Sequence, residues 1–510
     1  MEEKETVHWA DKYAEEVVQR DLKKKEYIVE AGITPSGSVH AGNFREIMTQ
    51  DLIYKALLDK GVKAKYYYYW DDYDRFRKVP DGVDKRWEEY IEMPLFKVPD
   101  PDGCHNNYAK HYETPLLEEN KACGVKCVYL NSSEEYARGI YSDLIKIALE
   151  NSDKIKKILE KFRADELVPG WLPVEVYCEK CWKDTTTVKY LGDYKVAYTC
   201  ECGNSGEIDF RKDGNVKLRW RTDWPMRWTY YGVDFESSGK DHKAAGGSWD
   251  TGVPICKEVF KHEPPIGPMY EFVYFKGQSA KMSKSVGNVV KVRQLLEVYE
   301  PELIRYPYTA KINKAFEISF DADLLNAYNY FDDARKMYYD KIKEKDKNEV
   351  RKYFFSKLTD KYVELPQFSV CVNVIQIALG DINRAKETLK KIGHPYQDAD
   401  SRLEKAWKWV QDYAPDQFKF VVQEKMPQVK IEPDVKELLS IIADKIGKIT
   451  VGEEIQQVVY NTAKEKNVPL EKVFSSAYLL FLGKEKGPRL GTFLASLDRE
   501  FVLNRLKMKA

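Results

Sequence analysis

Residues 27–43 read YIVEAGITPSGSVHAGN, and the architecture of the first half of the chain can be predicted from this stretch. The apolar run at 27–30 predicts a short strand, and the Gly, Pro and Ser residues of 32–38 predict a turn. Apolar residues then recur at helical spacing over about 43–60, and the aromatic run at 66–70 predicts a second strand. The order strand, helix, strand predicts a βαβ unit and therefore a parallel sheet.

The turn lies where the predicted strand ends and the helix begins. Backbone N–H groups and the helix dipole favour an anionic phosphate at such a point, and glycine lets the backbone approach a ligand closely. The candidate phosphate-binding residues are Ser36, Gly37, His40, Gly42 and Asn43. A Gly-rich turn alone is a weak signal, because such turns also occur without ligands.

A second stretch far downstream reads KMSKS at residues 281–285. It carries two ammonium groups and two hydroxyls, which together can clamp a polyphosphate. Taken alone, the same pentapeptide is also compatible with a solvated surface loop. The candidate residues are Lys281, Met282, Ser283, Lys284 and Ser285.

Length and composition set limits on the class of protein. At 510 residues the chain is long enough for roughly three domains of ~150 residues. Its 82 basic and 82 acidic residues balance, so a nucleic-acid partner requires a local basic face. No secretory leader and no apolar run near ~18 residues is found, which predicts a cytoplasmic protein without a membrane span. The nine cysteines are then expected to be thiols or metal ligands in preference to disulfides.

The pattern along the chain predicts an α/β fold with several parts. Residues 1–99 and 217–292 are predicted to form the two halves of a parallel-sheet domain. Residues 100–216, rich in cysteines, turns and short strands, are predicted to form a zinc-binding insertion. Long Lys-, Glu- and Leu-rich helical patterns fill 293–510 and predict an all-α C-terminal domain.

Four cysteines of the insertion form two close pairs. Cys178 and Cys181 are spaced C-x-x-C, and Cys200 and Cys202 are spaced C-x-C. Four thiolates in two pairs across such a gap match a structural tetrahedral zinc site. The C-x-C spacing of the second pair is unusual for such sites.

A second group of metal-binding residue types lies near residue 105. Asp100, Cys104, His105 and His111 can supply four ligands of the kinds that zinc accepts. The alternative is a polar turn with ordinary histidines.

Acidic and aromatic residues mark a further candidate site. Asp71 and Asp72 follow the predicted strand at 66–70, and open α/β sheets bind ligands at the carboxyl ends of their strands. Either carboxylate could hold an ammonium group, or could simply cap the strand end. A second polar Gly-rich turn contains Asp241 and His242. It follows an aromatic-rich segment that begins with Trp220.

The chain resembles the class I lysyl-tRNA synthetases, which occur mostly in archaea and some bacteria. The resemblance rests on five segments: residues 33–43, 70–75, 103–105, 239–249 and the KMSKS of 281–285. The first and last match the paired ATP signatures of class I synthetases, and the other three point to the lysine enzyme. The familiar His-Ile-Gly-His signature reads His-Ala-Gly-Asn here.

The resemblance implies a role for individual residues. His40 and Asn43 would contact ATP phosphate, and Lys281 and Lys284 would stabilise the departing pyrophosphate. The residues that match the lysine pocket of the family are Gly32, Thr34, Trp220, His242 and Tyr270.

The resemblance also implies that residues 1–99 and 217–292 form a Rossmann-type catalytic domain. It implies ATP, L-lysine and lysine tRNA as substrates, with Mg²⁺ accompanying ATP. The helical C-terminal domain is expected to read the anticodon, with candidates at Arg489, Arg499, Arg505 and the Trp407/Trp409 region. No obligate protein partner is implied.

Three rival interpretations stay open at this point. A glutamyl or other class I synthetase would need cationic groups around the amino-acid side chain, whereas lysine needs carboxylates and aromatic walls. A nucleotidylyltransferase would share both ATP signatures but would lack the long helical C-terminus. A paralogue that binds without catalysis would not need His40, Asn43, Lys281 and Lys284 intact.

Overall fold

The computed structural model describes residues 8–80, 82–277, 289–343 and 345–509. The chain divides into two compact units. The first comprises Met1–Arg293 with Arg305–Ile318, and the second comprises Gln294–Ile304 with Ser319–Ala510.

The bounds of the secondary structure elements follow. The helices are α1 Trp9–Arg20, α2 Ala41–Asp59, α3 Tyr108–Ala122, α4 Ser132–Ala137, α5 Ser142–Glu150, α6 Ser152–Glu160, α7 Trp220–Tyr231, α8 Lys240–Lys243, α9 Ser248–Glu258, α10 Val292–Val298, α11 Pro301–Arg305, α12 Asp323–Tyr338, α13 Lys347–Ser356, α14 Phe368–Ile377, α15 Ile382–Lys391, α16 Asp400–Asp412, α17 Pro433–Ile446, α18 Gly452–Glu465, α19 Leu470–Leu482, α20 Leu490–Ser496 and α21 Arg499–Leu506. The strands are β1 Tyr27–Ile33, β2 Ala64–Trp70, β3 Val128–Asn131, β4 Val174–Val176, β5 Thr186–Gly192, β6 Lys195–Cys200, β7 Ser205–Asp209, β8 Val216–Leu218, β9 Ser238–Gly239, β10 Met269–Tyr270, β11 Val273–Phe275 and β12 Phe316–Ile318.

The predicted parallel sheet is confirmed. β1 pairs with β2, and β2 pairs with β3, both in parallel. On the other side of β1, Phe235 bridges to Val29 and Ile266 bridges to Phe235, and these segments lead into the parallel pair β9 and β10. The order is therefore β3, β2, β1, β9, β10. β2 lies on one side of β1, and the segment of Phe235 that leads into β9 lies on the other side. Such a reversal of strand order is the switch point where open α/β sheets bind ligands.

The composition of β2 explains its central position. Its aromatic side chains Tyr66, Tyr68, Tyr69 and Trp70 are all buried. Because successive residues of a strand face opposite sides, both faces of β2 must be covered, as is typical of parallel sheets. Tyr68 and Trp70 lie on one face and meet edge to face with ring centroids 5.0 Å apart.

The cysteine-rich segment forms small antiparallel sheets. β5, β6 and β7 form one antiparallel sheet, and β4 pairs with β8. However, β3 also lies within residues 100–216, which the sequence assigns to the insertion, and it pairs with β2 of the parallel sheet. The stretch 100–216 thus contributes a strand to the Rossmann-type sheet as well as the cysteine-bearing hairpins.

The described residues of the second unit form helices and connecting loops without a strand, in agreement with the predicted all-α domain. A buried arginine organises its core. The Arg402 guanidinium on α16 donates to Glu300 Oε1 at 2.8 Å and to Asp332 Oδ2 at 2.7 Å. Both acceptors are needed, since an unpaired buried charge would destabilise the unit strongly. Among the described helices, none is both long and apolar enough to cross a membrane.

Candidate active site and metal clusters

The first sequence motif forms the N-terminus of α2. His40 is the N-cap residue, and its Nδ1 accepts a hydrogen bond from the Gly42 N–H at 3.1 Å. Asn43 Oδ1 in turn accepts from the His40 N–H at 3.4 Å. Because Nδ1 accepts, the neutral His40 ring carries its proton on Nε2. The helix dipole adds a partial positive charge at this point.

The turn before α2 is held by side chains from neighbouring segments. The Thr34 hydroxyl donates to Asp74 Oδ2 at 2.6 Å, and the Tyr108 hydroxyl donates to the Ser36 carbonyl at 3.1 Å. Ser36 is exposed and Gly37 is buried. The turn is thereby fixed at the carboxyl end of β1, beside the start of α2.

The second motif, Lys281, Met282, Ser283, Lys284 and Ser285, lies outside the described residues. The chain that precedes it forms β11. The chain that follows it reaches Val290, whose carbonyl accepts a hydrogen bond from the Ala41 N–H at 2.8 Å. The described segment after the second motif therefore contacts the first residue of α2.

The predicted lysine-pocket residues come from several strands and helices around the switch point. Gly32 and Thr34 lie at the end of β1, and Tyr270 lies at the end of β10. A Cβ at Gly239, at the end of β9, would lie 3.3 Å from Tyr270 Cε2, so glycine leaves room for this ring.

The rings of Trp220, Trp224 and His242 form an aromatic wall, which contains two of the predicted lysine-pocket residues. Trp220 stacks on Trp224 with centroids 5.2 Å apart, and the His242 ring lies 6.2 Å from Trp220 and 5.7 Å from Trp224. The Trp220 indole N–H donates to Ser248 Oγ at 3.0 Å. Asp241 is exposed on the short helix α8.

The two strand-end aspartates already have protein partners. Asp72 accepts from Asn131 Nδ2 at 3.1 Å and from the Ser133 N–H at 2.8 Å. Asp71 accepts from Arg227 Nη1 at 2.9 Å. Burial raises the pKa of Asp71 to about 7, although Arg227 opposes the shift, and burial also raises the pKa of Asp72 to about 6.

A carboxylate that the sequence did not single out lies between two pocket residues. Glu46 Oε1 accepts from the Gly32 N–H at 3.4 Å, and Glu46 Oε2 accepts from the Tyr270 hydroxyl at 3.3 Å. Burial and the nearby Glu236 raise the pKa of Glu46 to about 8. Within the described residues, no cationic side chain forms an ion pair with it. The sequence signal that could have identified Glu46 is its spacing of four residues from Gly42, because residues at i and i+4 share a helix face.

Further buried acidic groups lie next to the aromatic wall. Glu236 accepts from the indole N–H groups of Trp224 at 2.9 Å and Trp228 at 2.5 Å. Burial raises the pKa of Glu236 to about 7 and raises that of the neighbouring buried Glu30 well above its ordinary value. Arg227 is a buried cation close to Glu30, Asp71 and Asp223. A cationic ligand in this part of the unit would favour the ionised forms of these carboxyls.

The four predicted cysteine ligands meet in one cluster. Their sulfurs lie within 4.8 Å of one another, with Cys178 Sγ 3.7 Å from Cys202 Sγ and Cys181 Sγ 3.6 Å from Cys200 Sγ. Tetrahedral Zn–S bonds of ~2.3 Å place sulfurs about 3.8 Å apart. Burial raises the pKa of the Cys178 thiol, but N–H groups of Cys181 and Lys180 outweigh it and lower the value to about 6. The cluster thus fits a tetrahedral zinc ion.

The second predicted metal cluster is also assembled. Asp100, Cys104, His105 and His111 each offer one ligand atom, all within 4.8 Å of one another. Cys104 Sγ lies 3.0 Å from His105 Nδ1 and 3.4 Å from His111 Nδ1. This donor set of sulfur, two nitrogens and one oxygen is one that zinc accepts.

Two family models match the chain. Residues 7–359 match the model described as tRNA synthetases class I (K). The chain belongs to this family. Residues 373–509 match the model described as anticodon binding domain. The parallel sheet and the helical second unit agree with these matches.

Curated relatives cover the whole chain. A lysine–tRNA ligase of Pyrococcus horikoshii is 41% identical and covers 99% of this chain and 100% of its own. That of Thermococcus kodakarensis is 42% identical with the same coverage. A bacterial lysine–tRNA ligase, from Borrelia garinii, is 36% identical over 96% of both chains.

Proposed function

We propose that the protein is a lysine–tRNA ligase. It activates L-lysine with ATP to lysyl-adenylate and transfers the lysyl group to the 3′-terminal adenosine of lysine tRNA. The observation that carries this proposal is Glu46, a carboxylate without a described cationic partner between Gly32 and Tyr270. An ammonium group there would replace the missing cation and restore the ionised carboxylate.

The substrate lysine is expected to lie along the wall formed by Trp220 and His242, with its ε-ammonium at Glu46. Aromatic faces suit both the aliphatic chain and the cationic head. Asp71 and Asp72 are less suited to bind lysine directly, since protein donors already occupy them. They would fix the end of β2 and contribute negative charge near the bound lysine.

The adenylation step depends on positioning of the two substrates and on stabilisation of the developing charge. It needs no nucleophilic side chain. A lysine carboxylate oxygen forms a bond to the α-phosphorus while the bond to the β-phosphate bridging oxygen breaks, and pyrophosphate leaves. His40 and Asn43 would meet the charge that grows at the α-phosphate. Lys281 and Lys284 would meet the departing pyrophosphate. The residues that would lie along the bound ATP are Ser36, Gly37 and Gly42. Interactions stronger in the transition state than in the ground state then raise the rate.

In the second step the ribose hydroxyl of the terminal adenosine attacks the lysyl carbonyl. AMP leaves, and the hydroxyl proton departs with it or to solvent. Magnesium would accompany ATP and neutralise phosphate charge when bound. The two metal clusters would each hold a zinc ion, and the all-cysteine cluster would stabilise the antiparallel hairpins.

Two rivals are less compatible with these observations. A glutamate pocket would need cations near the side chain, whereas Glu46, Asp71 and Glu236 are acidic. A nucleotidylyltransferase would have no need of residues 373–509, which match an anticodon-binding model. The cytoplasmic location and the lack of an obligate protein partner stay predictions.

Charging of lysine tRNA in the presence of ATP and labelled amino acid tests the proposal. Incorporation of lysine, with glutamate and arginine inert, is expected. Charging with glutamate in place of lysine would overturn it.

A further inference from the structure

The first compact unit buries a lysine to which the proposed reaction gives no role. Lys217 is the middle residue of β8, and its side chain is 1% exposed. Its ammonium donates to Asp74 Oδ1 at 3.3 Å and to the Leu218 carbonyl at 3.4 Å. Burial alone would lower the pKa of Lys217, but carboxylates led by those of Asp223 and Asp74 outweigh burial and raise that pKa. The side chain is therefore a buried cation paired with Asp74.

Asp74 joins this cation to the predicted lysine pocket. Its other carboxylate oxygen, Oδ2, accepts a hydrogen bond from the Thr34 hydroxyl at 2.6 Å. Thr34 directly follows β1 and is half-buried. One carboxylate thus bridges the buried ammonium and a pocket hydroxyl, with one oxygen for each.

Further hydrogen bonds fix both ends of this bridge. The Asp74 carbonyl accepts from the Leu95 N–H at 2.9 Å. On β8, the Leu218 N–H donates to the Tyr136 hydroxyl at 3.1 Å. Because both ends are held by other parts of the unit, the bridge determines the direction of the Thr34 hydroxyl.

The stability of the fold does not by itself account for such a pair. The cost of removing two charges from water offsets most of the attraction between them, so a buried ion pair contributes little net stability. Here the pair is arranged around a hydroxyl of the predicted pocket. This arrangement points to a role in that pocket.

The direction of the Thr34 hydrogen bond determines which ligand group the hydroxyl can bind. A hydroxyl has one O–H donor and two acceptor lone pairs, whereas an ionised carboxylate only accepts. Asp74 therefore takes the single donor of Thr34. The lone pairs that remain on the Thr34 oxygen suit a ligand group that only donates, such as an ammonium.

We propose that Asp74 and Lys217 are positioning residues, which orient the Thr34 hydroxyl as an acceptor for the α-ammonium of the substrate lysine. The proposal rests on the proposed function, which assigns the ε-ammonium of lysine to Glu46. Gly32, whose N–H donates to Glu46, precedes Thr34 by two residues. The two ammonium groups of one lysine would then be bound at neighbouring points along the end of β1.

The test uses the full-length enzyme with the variants Asp74→Asn and Thr34→Val, and two double variants. One double variant combines both changes, and the other combines Asp74→Asn with Lys217→Met. Asp184→Asn is the matched control, because Asp184 pairs with Arg75 at 3.3 Å and its side chain is 4% exposed. In the part of the chain that the structure describes, no hydrogen bond joins Asp184 to a predicted pocket residue.

Three quantities are measured in the charging of lysine tRNA. They are the KM for lysine, the KM for ATP and the inhibition constant of ε-aminocaproate. This probe is lysine without its α-amino group, so it retains the carboxylate and the ε-ammonium. The melting temperature of each variant is measured beside them.

We expect Asp74→Asn and Thr34→Val each to raise the lysine KM about tenfold, the effect of losing one hydrogen bond to a charged group. In Asp74→Asn the amide oxygen should face the Lys217 ammonium, so the amide N–H faces Thr34 and reverses its hydrogen bond. The KM for ATP and the inhibition by ε-aminocaproate should change little, since neither involves the α-ammonium. Asp184→Asn should leave all three quantities unchanged.

The double variants test whether the residues act through one another. In the Thr34→Val background, Asp74→Asn should add little to the lysine KM, because the two changes remove the same interaction. When Lys217→Met accompanies Asp74→Asn, the amide is free to turn its oxygen toward Thr34, and the lysine KM should return toward the unmodified value. A purely structural role would give no such recovery.

Three results would overturn the proposal. The first is a full effect of Asp74→Asn in the Thr34→Val background. The second is a loss of ε-aminocaproate inhibition as large as the rise in lysine KM, which would place Thr34 at the ε-ammonium. The third is a folded Asp74→Asn, Lys217→Met enzyme without recovery. Lys217→Gln replaces Lys217→Met if the latter does not fold.

The outcome for the unmodified enzyme separates this proposal from the function on which it rests. If it does not charge lysine tRNA at all, the proposed function fails. If it charges lysine tRNA and Asp74→Asn leaves the lysine KM unchanged, the ligase function stands and the positioning role is refuted.

Discussion

The Ala41 N–H donates to the Val290 carbonyl over 2.8 Å. Ala41 is the first residue of α2 and directly follows His40, while Val290 follows the KMSKS stretch. The Tyr308 hydroxyl donates to the Ala41 carbonyl at 2.9 Å and fixes the same point from another segment. The described chain after the KMSKS stretch thus contacts the N-terminus of α2, although the two segments are far apart in sequence.

Glu46→Gln should raise the lysine KM by about tenfold or more, because a hydrogen bond to a charged group contributes roughly 1.5–3 kcal/mol. The amide can still accept from Gly32 or Tyr270, so the fold should persist. The KM for ATP should change little. Charging kinetics with varied lysine measure the effect, and Glu16→Gln on the exposed face of α1 is the control. An unchanged lysine KM would remove Glu46 from the pocket.

The lysine KM should fall as pH rises from about 6.5 to 8.5. Burial raises the pKa of Glu46 to about 8 in the free enzyme, so its carboxyl is neutral below that pH. The lysine ammonium, with an ordinary pKa near ~10.4, stays charged throughout this range. Binding must therefore release a proton from Glu46 at lower pH, which weakens the apparent affinity. In Glu46→Gln this pH dependence of KM should be lost, and its persistence would assign it to another group.

Cys202→Ser should lower the zinc content by one ion per chain and destabilise the β5–β7 hairpins. The exposed Cys202 completes the cluster, and three thiolates with a hydroxyl bind zinc far less well. Elemental analysis together with thermal melting measures both effects, and Cys127→Ser is the control outside the clusters. The protein without substitutions should contain two zinc ions per chain if the Asp100 cluster also holds zinc. A metal-free protein that is fully folded and active would contradict the structural role.

Lys284→Ala should lower kcat by ~10²-fold or more, by analogy with the loss of one preorganised donor to developing charge. The lysine KM should change little, because the interaction strengthens only in the transition state. Single-turnover formation of lysyl-adenylate, with lysine tRNA present, measures the effect. Lys25→Ala, an exposed lysine before β1, is the control. Normal adenylate formation in the Lys284 variant would refute this role.

Local pattern was sufficient to predict the parallel βαβ unit of β1, α2 and β2. The apolar run of β1, the glycine-rich turn and the helical spacing of α2 are signals carried by neighbouring residues. β1 runs on to Ile33, beyond the predicted end at 30, and α2 begins at Ala41 because the His40 side chain caps it. β3 was placed in the insertion because a strand of four half-exposed residues has little periodicity to detect.

The chemistry of the proposed lysine pocket depends on contacts that sequence spacing does not reveal. Glu46 occurs in an ordinary helical pattern, and its significance appears only beside Tyr270, which is 224 positions away. Asp72 looked equivalent to Asp71 because both follow β2, but its acceptors are turned toward Asn131 and Ser133. The cysteine spacing was more informative, because metal geometry restricts which spacings can close around one ion.

We propose that the acidic, aromatic pocket selects lysine for transfer to tRNA. The most direct measurement is charging of lysine tRNA by the full-length enzyme with ATP and each of lysine, arginine and glutamate in turn. We predict charging with lysine alone, abolished by removal of ATP and strongly reduced in Glu46→Gln. Efficient charging with glutamate, or release of pyrophosphate with no amino acid transferred to tRNA, would contradict the account.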